Sequence, residues 1–199
     1  EDFADVLPLL VEMAKKSVQP RHWAQLRELT GGLDDENGSL KLQALIDANL
    51  NRFKDEIVDI CDSADKQLVI ERRIGEIQAQ WATAMFDFNI WKARDYPCVL
   101  AGGRVGEIQE QLEETIMALN TMNAMRHSVP FKPQLSELLM SLSDTMDTIE
   151  RWTKVQLLWT GLESVFTGGD IAKQMPMEAK RFSQIDKDWV RIMAKSAEI

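Results

Sequence analysis

Two long segments of the chain carry apolar residues at every third or fourth position, and they limit the possible folds more than any other feature. The longer segment runs from about residue 132 to residue 166, and the other begins near residue 49 and has no proline before residue 89. This spacing gathers the apolar side chains on one side of an α-helix. A helix of about 30 residues is about 45 Å long. Such helices are too long for a compact globule of 199 residues, so they favour an elongated bundle.

The two apolar stripes predict which side chains form the core. The longer segment carries Leu135, Leu138, Leu142, Met146, Ile149, Trp152, Val155, Trp159, Leu162 and Phe166. The other segment carries Leu50, Phe53, Ile57, Ile60, Ala64, Ile70, Ile74, Ile77 and Trp81. The gap between Ala64 and Ile70 breaks a strict heptad repeat, so a simple two-stranded coiled coil fits poorly. The tryptophans on these stripes are predicted core residues, with a docking surface as the alternative.

Shorter helices are predicted around the two long ones. Proline favours a first helical turn and glycine favours a stop, and both signals frame the first of these helices. Ser39 is a suitable N-cap for another short helix, which would follow a polar turn at residues 34–38. The helix framed by proline and glycine spans residues 20–30, and the other predicted helices span residues 105–122 and 176–192.

A change of period interrupts the helices after Met85. The run from Phe86 to Lys92 alternates apolar and polar residues, which is the period of a β-strand. Residues 93–96 predict a turn, and Pro97 opens a second short run through Leu100. The predicted fold is therefore mostly α, an elongated bundle of long antiparallel helices with one inserted β-hairpin. We divide it into N-terminal helices (20–82), the β-hairpin (83–101) and a C-terminal helical bundle (103–199).

Charge and cysteine content exclude several classes of protein. The formal net charge of −9 argues against nucleic-acid binding, which needs a cationic face. No apolar run is long enough to span a bilayer, so we expect no membrane partner. Cys61 and Cys98 do not make a disulfide framework, which favours a reducing, cytosolic compartment. The acidic excess lies before Asp170, and it is either a solvated surface or a face for a basic partner.

The chain carries no recognisable catalytic or ligand-binding motif. The run Gly102-Gly103-Arg104-Val105-Gly106 lacks the lysine and hydroxyl residue of a phosphate loop, so it indicates a helix start. Residues 33–38 are acidic like a calcium loop, but Leu33 and Ala44 stand where oxygen ligands are needed. His22 and His127 are not at metal-ligand spacing from another His or Cys. We predict no catalytic residue, no cofactor and no metal ion in this segment.

Three stretches resemble the linker region of dynein heavy chains. The first begins at Arg21-His22-Trp23, and the second includes Trp81 and leads into the predicted hairpin. Within the third stretch, residues 166–174 resemble axonemal outer-arm heavy chains, particularly the gamma type. The third stretch runs from Val155 to Met193 and contains Trp159, Glu178, Ala179, Lys180, Arg181, Phe182, Asp186 and Trp189.

The resemblance implies a part of a minus-end-directed, ATP-driven microtubule motor that serves ciliary or flagellar movement. In this family a linker arches over a ring of ATPase modules and changes between bent and straight shapes. ATP and Mg would be bound elsewhere in the parent chain. The implied partners are the ring and tail of the same heavy chain, the dynein intermediate and light chains and, indirectly, the microtubule. The implied location is the cytoplasm and cytoskeleton, in the axoneme of a cilium or flagellum.

We therefore expect a fragment, the central part of a linker, that performs no catalysis itself. A lever must bend at defined places, because backbone rotation is least costly where Gly or Pro interrupts the helices. The candidate hinges are Gly102, Gly103, Pro130, Pro133, Gly168 and Gly169. Static helix ends are the alternative for these positions. The alternative function is a spectrin-like helical scaffold or tethering domain that binds partner proteins whatever the nucleotide state.

Overall fold

The computed structural model of the chain describes residues 3–31, 33, 48–167 and 170–198. The helix predicted after Ser39 and the polar turn at residues 34–38 lie outside the described residues. The helices are α1 (Phe3–Met13), α2 (Pro20–Thr30), α3 (Lys54–Ala82), α4 (Gly102–Ala124), α5 (Lys132–Phe166), α6 (Ile171–Gln174) and α7 (Pro176–Ala197). The strands are β1 (Phe88–Ile90) and β2 (Pro97–Leu100), and short 3₁₀ helices span Leu50–Phe53 and Arg126–Phe131. The prediction of a mostly α fold with an inserted hairpin is confirmed.

Helix boundaries follow the local signals in the sequence. Helix α2 has the predicted bounds, and it ends because Gly31 adopts a left-handed conformation with φ of 65°. The N–H of Gly31 donates to the carbonyl of Arg27, 2.9 Å away. Helix α5 also has the predicted bounds and is 35 residues long. Helix α3 begins later than the stripe suggests, because Asn49 is left-handed with φ of 49° and Leu50–Phe53 forms a 3₁₀ turn first.

The hairpin is shorter than the alternating run predicts. Strand β1 covers only Phe88–Ile90, because Lys92 turns the chain with a left-handed φ of 52°. The strands are antiparallel, with Phe88 opposite Leu100 and Ile90 opposite Pro97. The pairing skips Cys98, which leaves the backbone of that residue free for a contact with α7 described below.

The inward face of α5 differs from the predicted stripe in its C-terminal half. Val155 and Leu162 were predicted as core but expose 47% and 41% of their surface. The buried or half-buried positions instead continue in steps of seven residues, as Leu135, Leu142, Ile149, Gln156 and Glu163. Two of these positions are polar because they bind the hairpin. A similar difference occurs in α4, where Thr115 is buried and the predicted Ile116 is only half-buried.

The chain divides into two compact units. Unit 1 comprises residues 1–79 and 122–132, and unit 2 comprises residues 80–121 and 133–199. The core of unit 1 contains Val6, Leu9, Met13, Val18, Leu26, Leu33, Ala48, Leu50, Ile57, Cys61 and Ala64. The buried apolar residues of unit 2 include Cys98, Val99, Leu100, Val105, Ile108, Leu112, Leu119, Leu142, Ile149, Trp159, Phe182, Trp189 and Met193.

The candidate hinges occupy different kinds of backbone. Gly102 and Gly103 lie in the first turn of α4, where an added Cβ would meet nothing within 4 Å. Pro130 lies in the 3₁₀ helix Arg126–Phe131, and Pro133 lies in the first turn of α5. Gly168 and Gly169 lie outside the described residues. None of these positions is shown to bend, so the hinges remain predictions.

Candidate functional site

A cluster in unit 2 joins the hairpin to α5 and α7, and we call it the hairpin anchor. Its members are Arg94, Cys98, Trp159, Asp186 and Trp189. The Asp186 Oδ1 atom accepts hydrogen bonds from Trp159 Nε1 at 3.1 Å and from Arg94 Nη2 at 2.7 Å. The Arg94 guanidinium also lies over the Trp159 ring, 4.9 Å from its centroid. One carboxylate thus fixes a helix side chain and a hairpin side chain together.

The two tryptophans of the anchor are stacked, with ring centroids 5.5 Å apart. Trp189 Nε1 donates to the carbonyl oxygen of Cys98 at 2.9 Å. Cys98 is the residue that the strand pairing skips. Steps of four and three along α7 bring Asp186 and Trp189 to the same side as Phe182, which stacks on Phe166. The local periodicity of α7 therefore presents one aromatic and charged face to α5 and the hairpin.

Two polar residues of α5 hold the hairpin at further points. Gln156 accepts from the N–H of Leu100 at 2.7 Å and donates to the carbonyl of Leu100 at 3.2 Å, so it satisfies both backbone groups. Glu163 accepts from Lys92 Nζ at 2.6 Å and from Trp91 Nε1 at 3.2 Å. Burial acts to raise the pKa of Glu163, but the hydrogen bonds from Lys92 and Trp91 outweigh it and lower the pKa. Glu163 is therefore a buried, ionised and paired carboxylate.

A second cluster lies in unit 1, and we call it the Gln67 network. The N–H of Gln19 donates to His22 Nδ1 at 3.0 Å, so the proton of the neutral ring is on Nε2. His22 Nε2 lies 2.9 Å from Gln67 Oε1 and donates to it, and Arg21 Nε donates to the same oxygen at 2.8 Å. Burial lowers the pKa of His22, with a smaller contribution from the Arg21 charge.

The Gln67 network continues toward the segment that precedes Pro133. The Arg21 guanidinium lies over the ring of Phe131, 5.0 Å from its centroid. Gln67 Nε2 donates to Ser63 Oγ at 3.4 Å, and Ser63 Oγ lies 3.0 Å from His127 Nδ1. Helices α2 and α3 are thereby joined, within unit 1, to the 3₁₀ helix that carries Pro130.

The residues that carry the resemblance to dynein heavy chains fall into four groups. Arg21 and His22 join the Gln67 network, while Trp159, Asp186 and Trp189 join the hairpin anchor. Others pack individually: Trp23 borders the core of unit 1, Trp81 donates to Thr115 at 3.3 Å, and Phe182 stacks on Phe166. On α7 the side chains of Glu178 and Ala179 are half-buried, while those of Lys180 and Arg181 are exposed.

Sequence reasoning missed several of the residues that make these contacts. Gln67 stands in the gap of the α3 stripe, three residues from both Ala64 and Ile70, and that position was the available signal. Gln156 and Glu163 continue a seven-residue repeat from Leu135, which the choice of apolar neighbours concealed. Arg94 lies in the hairpin turn, and no sequence pattern pointed to it.

The charges in these clusters are paired and the His22 imidazole is neutral. The clusters are therefore better suited to joining structural elements than to acid–base catalysis. Within the described part of the chain, no group of three or more His, Cys, Asp and Glu is arranged to hold a metal ion. None of the described helices is long and apolar enough to cross a membrane. Cys61 and Cys98 are buried free thiols, and burial raises the pKa of each.

Residues 1–199 match the family model for the dynein heavy chain, N-terminal region 2. The chain belongs to the dynein heavy chain family. This dynein heavy-chain segment is 42% identical to dynein axonemal heavy chain 5 of Mus musculus and 40% identical to dynein axonemal heavy chain 8 of Homo sapiens. It is 38% identical to the gamma chain of the flagellar outer arm of Chlamydomonas reinhardtii. Each comparison covers 100% of this chain and 4% of the relative.

The predicted resemblance to axonemal dynein heavy chains is confirmed, and a flagellar outer-arm gamma chain is among the relatives. The family match also includes residues 1–17, where the sequence offered no recognisable motif. The dynein heavy-chain segment spans only 4% of the length of these relatives. Activity, substrates and partners of the whole protein are therefore matters for proposal.

Proposed function

We propose that this segment is a mechanical linker part of an axonemal dynein heavy chain and performs no catalytic step itself. The parent chain would bind ATP and Mg elsewhere and would drive ciliary or flagellar movement along microtubules. The ring and tail of the same heavy chain would be its immediate partners, with intermediate and light chains as assembly partners. The relatives, which are named axonemal heavy chains and a flagellar outer-arm chain, support this location.

The observation that carries the proposal is the way α5 is built into unit 2. A helix of 35 residues is joined to the hairpin through Gln156, Glu163 and the ring of Trp159 under Arg94, over about two of its turns. Charged and aromatic contacts at several points resist sliding and rotation of the hairpin more than a single contact would. A part that transmits force needs such multiple attachments, while a part that only covers a surface does not.

A second observation favours bending near Pro133. The chain passes between the two units at residues 79–80, 121–122 and 132–133. Each passage lies within three residues of a helix boundary, at Ala82, Ala124 and Lys132 respectively. Helix ends have unpaired backbone groups and rotate more easily than helix interiors. Of the candidate hinges, Pro130 and Pro133 are therefore the pair that we propose to bend.

The proposal can be tested by distance measurements in the full heavy chain. One pair of spin labels would stand at Lys66 in unit 1 and Lys180 in unit 2, both of which are exposed. A control pair would stand at Lys154 and Lys180, both within unit 2. A linker predicts that the first distance changes between the ADP state and an ATP-analogue state while the control distance is constant.

Two results would count against the proposal. If the distance between Lys66 and Lys180 is the same in both nucleotide states, the segment is a static scaffold. If the control distance changes instead, bending occurs inside unit 2, and Pro130 and Pro133 are not the hinge.

A further inference from the structure

Helices α5 and α7 pack as a pair and expose apolar side chains on one side of that pair. We call this surface the apolar face. Each of its residues exposes between 37 and 59% of its surface. Its members are Val155, Leu158, Leu162 and Val165 of α5 and Ile185 and Ile192 of α7. Surfaces of this kind usually mark an interaction site, because single exposed apolar residues are common but aligned ones are not.

The contacts of unit 2 show which side of the helix pair this face occupies. The seam between the helices is marked by Trp159 on Trp189 and by Phe166 on Phe182. The hairpin lies on one side of that seam, where Gln156 and Glu163 of α5 and Asp186 of α7 bind it.

Three residues of the apolar face each precede a hairpin-binding residue by one position, as Val155, Leu162 and Ile185. One residue corresponds to a rotation of about 100° around a helix. The pairs Trp159–Trp189 and Phe166–Phe182 show that α5 and α7 run antiparallel along the seam. In an antiparallel pair the same rotation turns the apolar residues of both helices toward the same side. The apolar face therefore lies across the seam from the hairpin.

The spacing of the α5 residues indicates the shape of the occupant. Val155, Leu158, Leu162 and Val165 follow steps of three, four and three, which is the seam of a packed helix pair. Arg151 and Lys154 stand beside the N-terminal end of this row, are exposed, and form no ion pair within the described residues. An occupant with an apolar stripe and Asp or Glu near one end would complement both features.

We propose that the apolar face is the docking surface for an amphipathic α-helix supplied by another part of the same heavy chain. The relatives are far longer than this segment, which covers 4% of them, so a parent chain of that length would contain many further segments that could supply the helix. A segment of the same polypeptide is present at high effective concentration and needs fewer contacts to stay bound than a separate protein does. The inference rests on the proposed function in one respect, that this segment is part of a long heavy chain. It does not require the segment to move when nucleotide binds.

The test places a photoreactive amino acid at Leu158 in the full heavy chain. Leu157 provides the matched control, because it has the same side chain, lies on the same helix and exposes 73% of its surface on another side. We expect the Leu158 position to cross-link to one helical segment of the heavy chain with Asp or Glu beside its apolar residues. We expect at least about a tenfold lower yield of that product from Leu157.

A mixture of isotopically light and heavy chains separates the possible occupants. Cross-links within one isotopic form support the proposal, whereas light-to-heavy products would assign the surface to a second copy. Cross-links to another polypeptide, or equal yields from Leu158 and Leu157, would overturn it. The linker proposal fails if the distance between Lys66 and Lys180 does not change with nucleotide. That result would not alter the cross-link from Leu158, so failure of one proposal can be told apart from failure of the other.

Discussion

The hairpin anchor of unit 2 and the Gln67 network of unit 1 solve a similar problem with different chemistry. Each joins a helix to a segment that is not α-helical. The anchor uses a carboxylate, a guanidinium and two stacked indoles, whereas the network uses a neutral imidazole and an amide beside one arginine. The difference predicts that unit 2 depends mainly on aromatic burial and paired charge, and that unit 1 depends on the protonation state of His22.

The largest expected effect comes from removing the central ring of the anchor. Trp159→Ala should cost about 3–5 kcal/mol, because it leaves a large cavity and removes the stacking partner of Trp189. Trp159 is 1% exposed, so nearly the whole side chain contributes buried surface that the variant loses. The measurement is the urea midpoint read separately from the methyl groups of Ile149 in unit 2 and Ile57 in unit 1, both of which are buried.

The matched variant is Trp23→Ala, which removes a half-buried tryptophan at the border of the unit 1 core. It should lower the Ile57 midpoint more than the Ile149 midpoint, and Trp159→Ala should do the reverse. Equal shifts of both midpoints in both variants would show that the two regions unfold as one, and the comparison between them would lose its meaning.

Local signals in the sequence were sufficient for most elements of both regions, although the sequence analysis predicted no helix where α1 (Phe3–Met13) lies. The 3.6-residue period, with Pro20 and Gly31 as boundaries, predicted α2, and the same period predicted α5. The change to a two-residue period predicted the hairpin. These features depend on neighbouring residues, so a single sequence contains them.

The contacts between elements could not be predicted in the same way. Trp91 and Glu163 are 72 positions apart, and nothing near Glu163 indicates that a hairpin will supply its partners. The half-buried Gln156 and the buried Glu163 were therefore left out of the predicted stripe, and Val155 and Leu162 were chosen for the core instead. The same reasoning overlooked Gln67, whose partners on α2 lie more than 40 positions away. Polar residues inside an apolar repeat become informative only when a distant partner is known.

A smaller effect is expected from the charge of the anchor alone. Asp186→Asn keeps an oxygen that can accept from Trp159 but leaves the Arg94 guanidinium, 14% exposed, without its carboxylate. The expected loss is about 1.5–3 kcal/mol at the Ile149 methyl, the range for hydrogen bonds to charged groups. Asp188→Asn is the control, since it changes an exposed pair with Arg191 and should stay within about 0.5 kcal/mol. Similar losses for both variants would mean that the anchor is held by packing and not by its ion pair.

The smallest expected effect is a pH dependence confined to unit 1. Burial lowers the pKa of His22 below its ordinary value of 6.5, so on acidification the unfolded chain takes up the proton before the folded chain does. The stability that the neutral ring provides is complete above pH 6.5 and is lost as the pH falls below it. The Ile57 midpoint should therefore fall as the pH is lowered below 6.5, beyond any change at Ile149.

The variant His22→Gln removes the titratable ring but can keep its hydrogen bond to Gln67. Its amide nitrogen can still donate to Gln67, although the acceptor for the Gln19 N–H is lost, so we expect a lower midpoint with a flatter pH profile. An unchanged slope in this variant would assign the acid sensitivity of unit 1 to other groups. In that event the chemical contrast between the Gln67 network and the hairpin anchor would rest on composition alone, because the neutral imidazole would not limit the stability of unit 1.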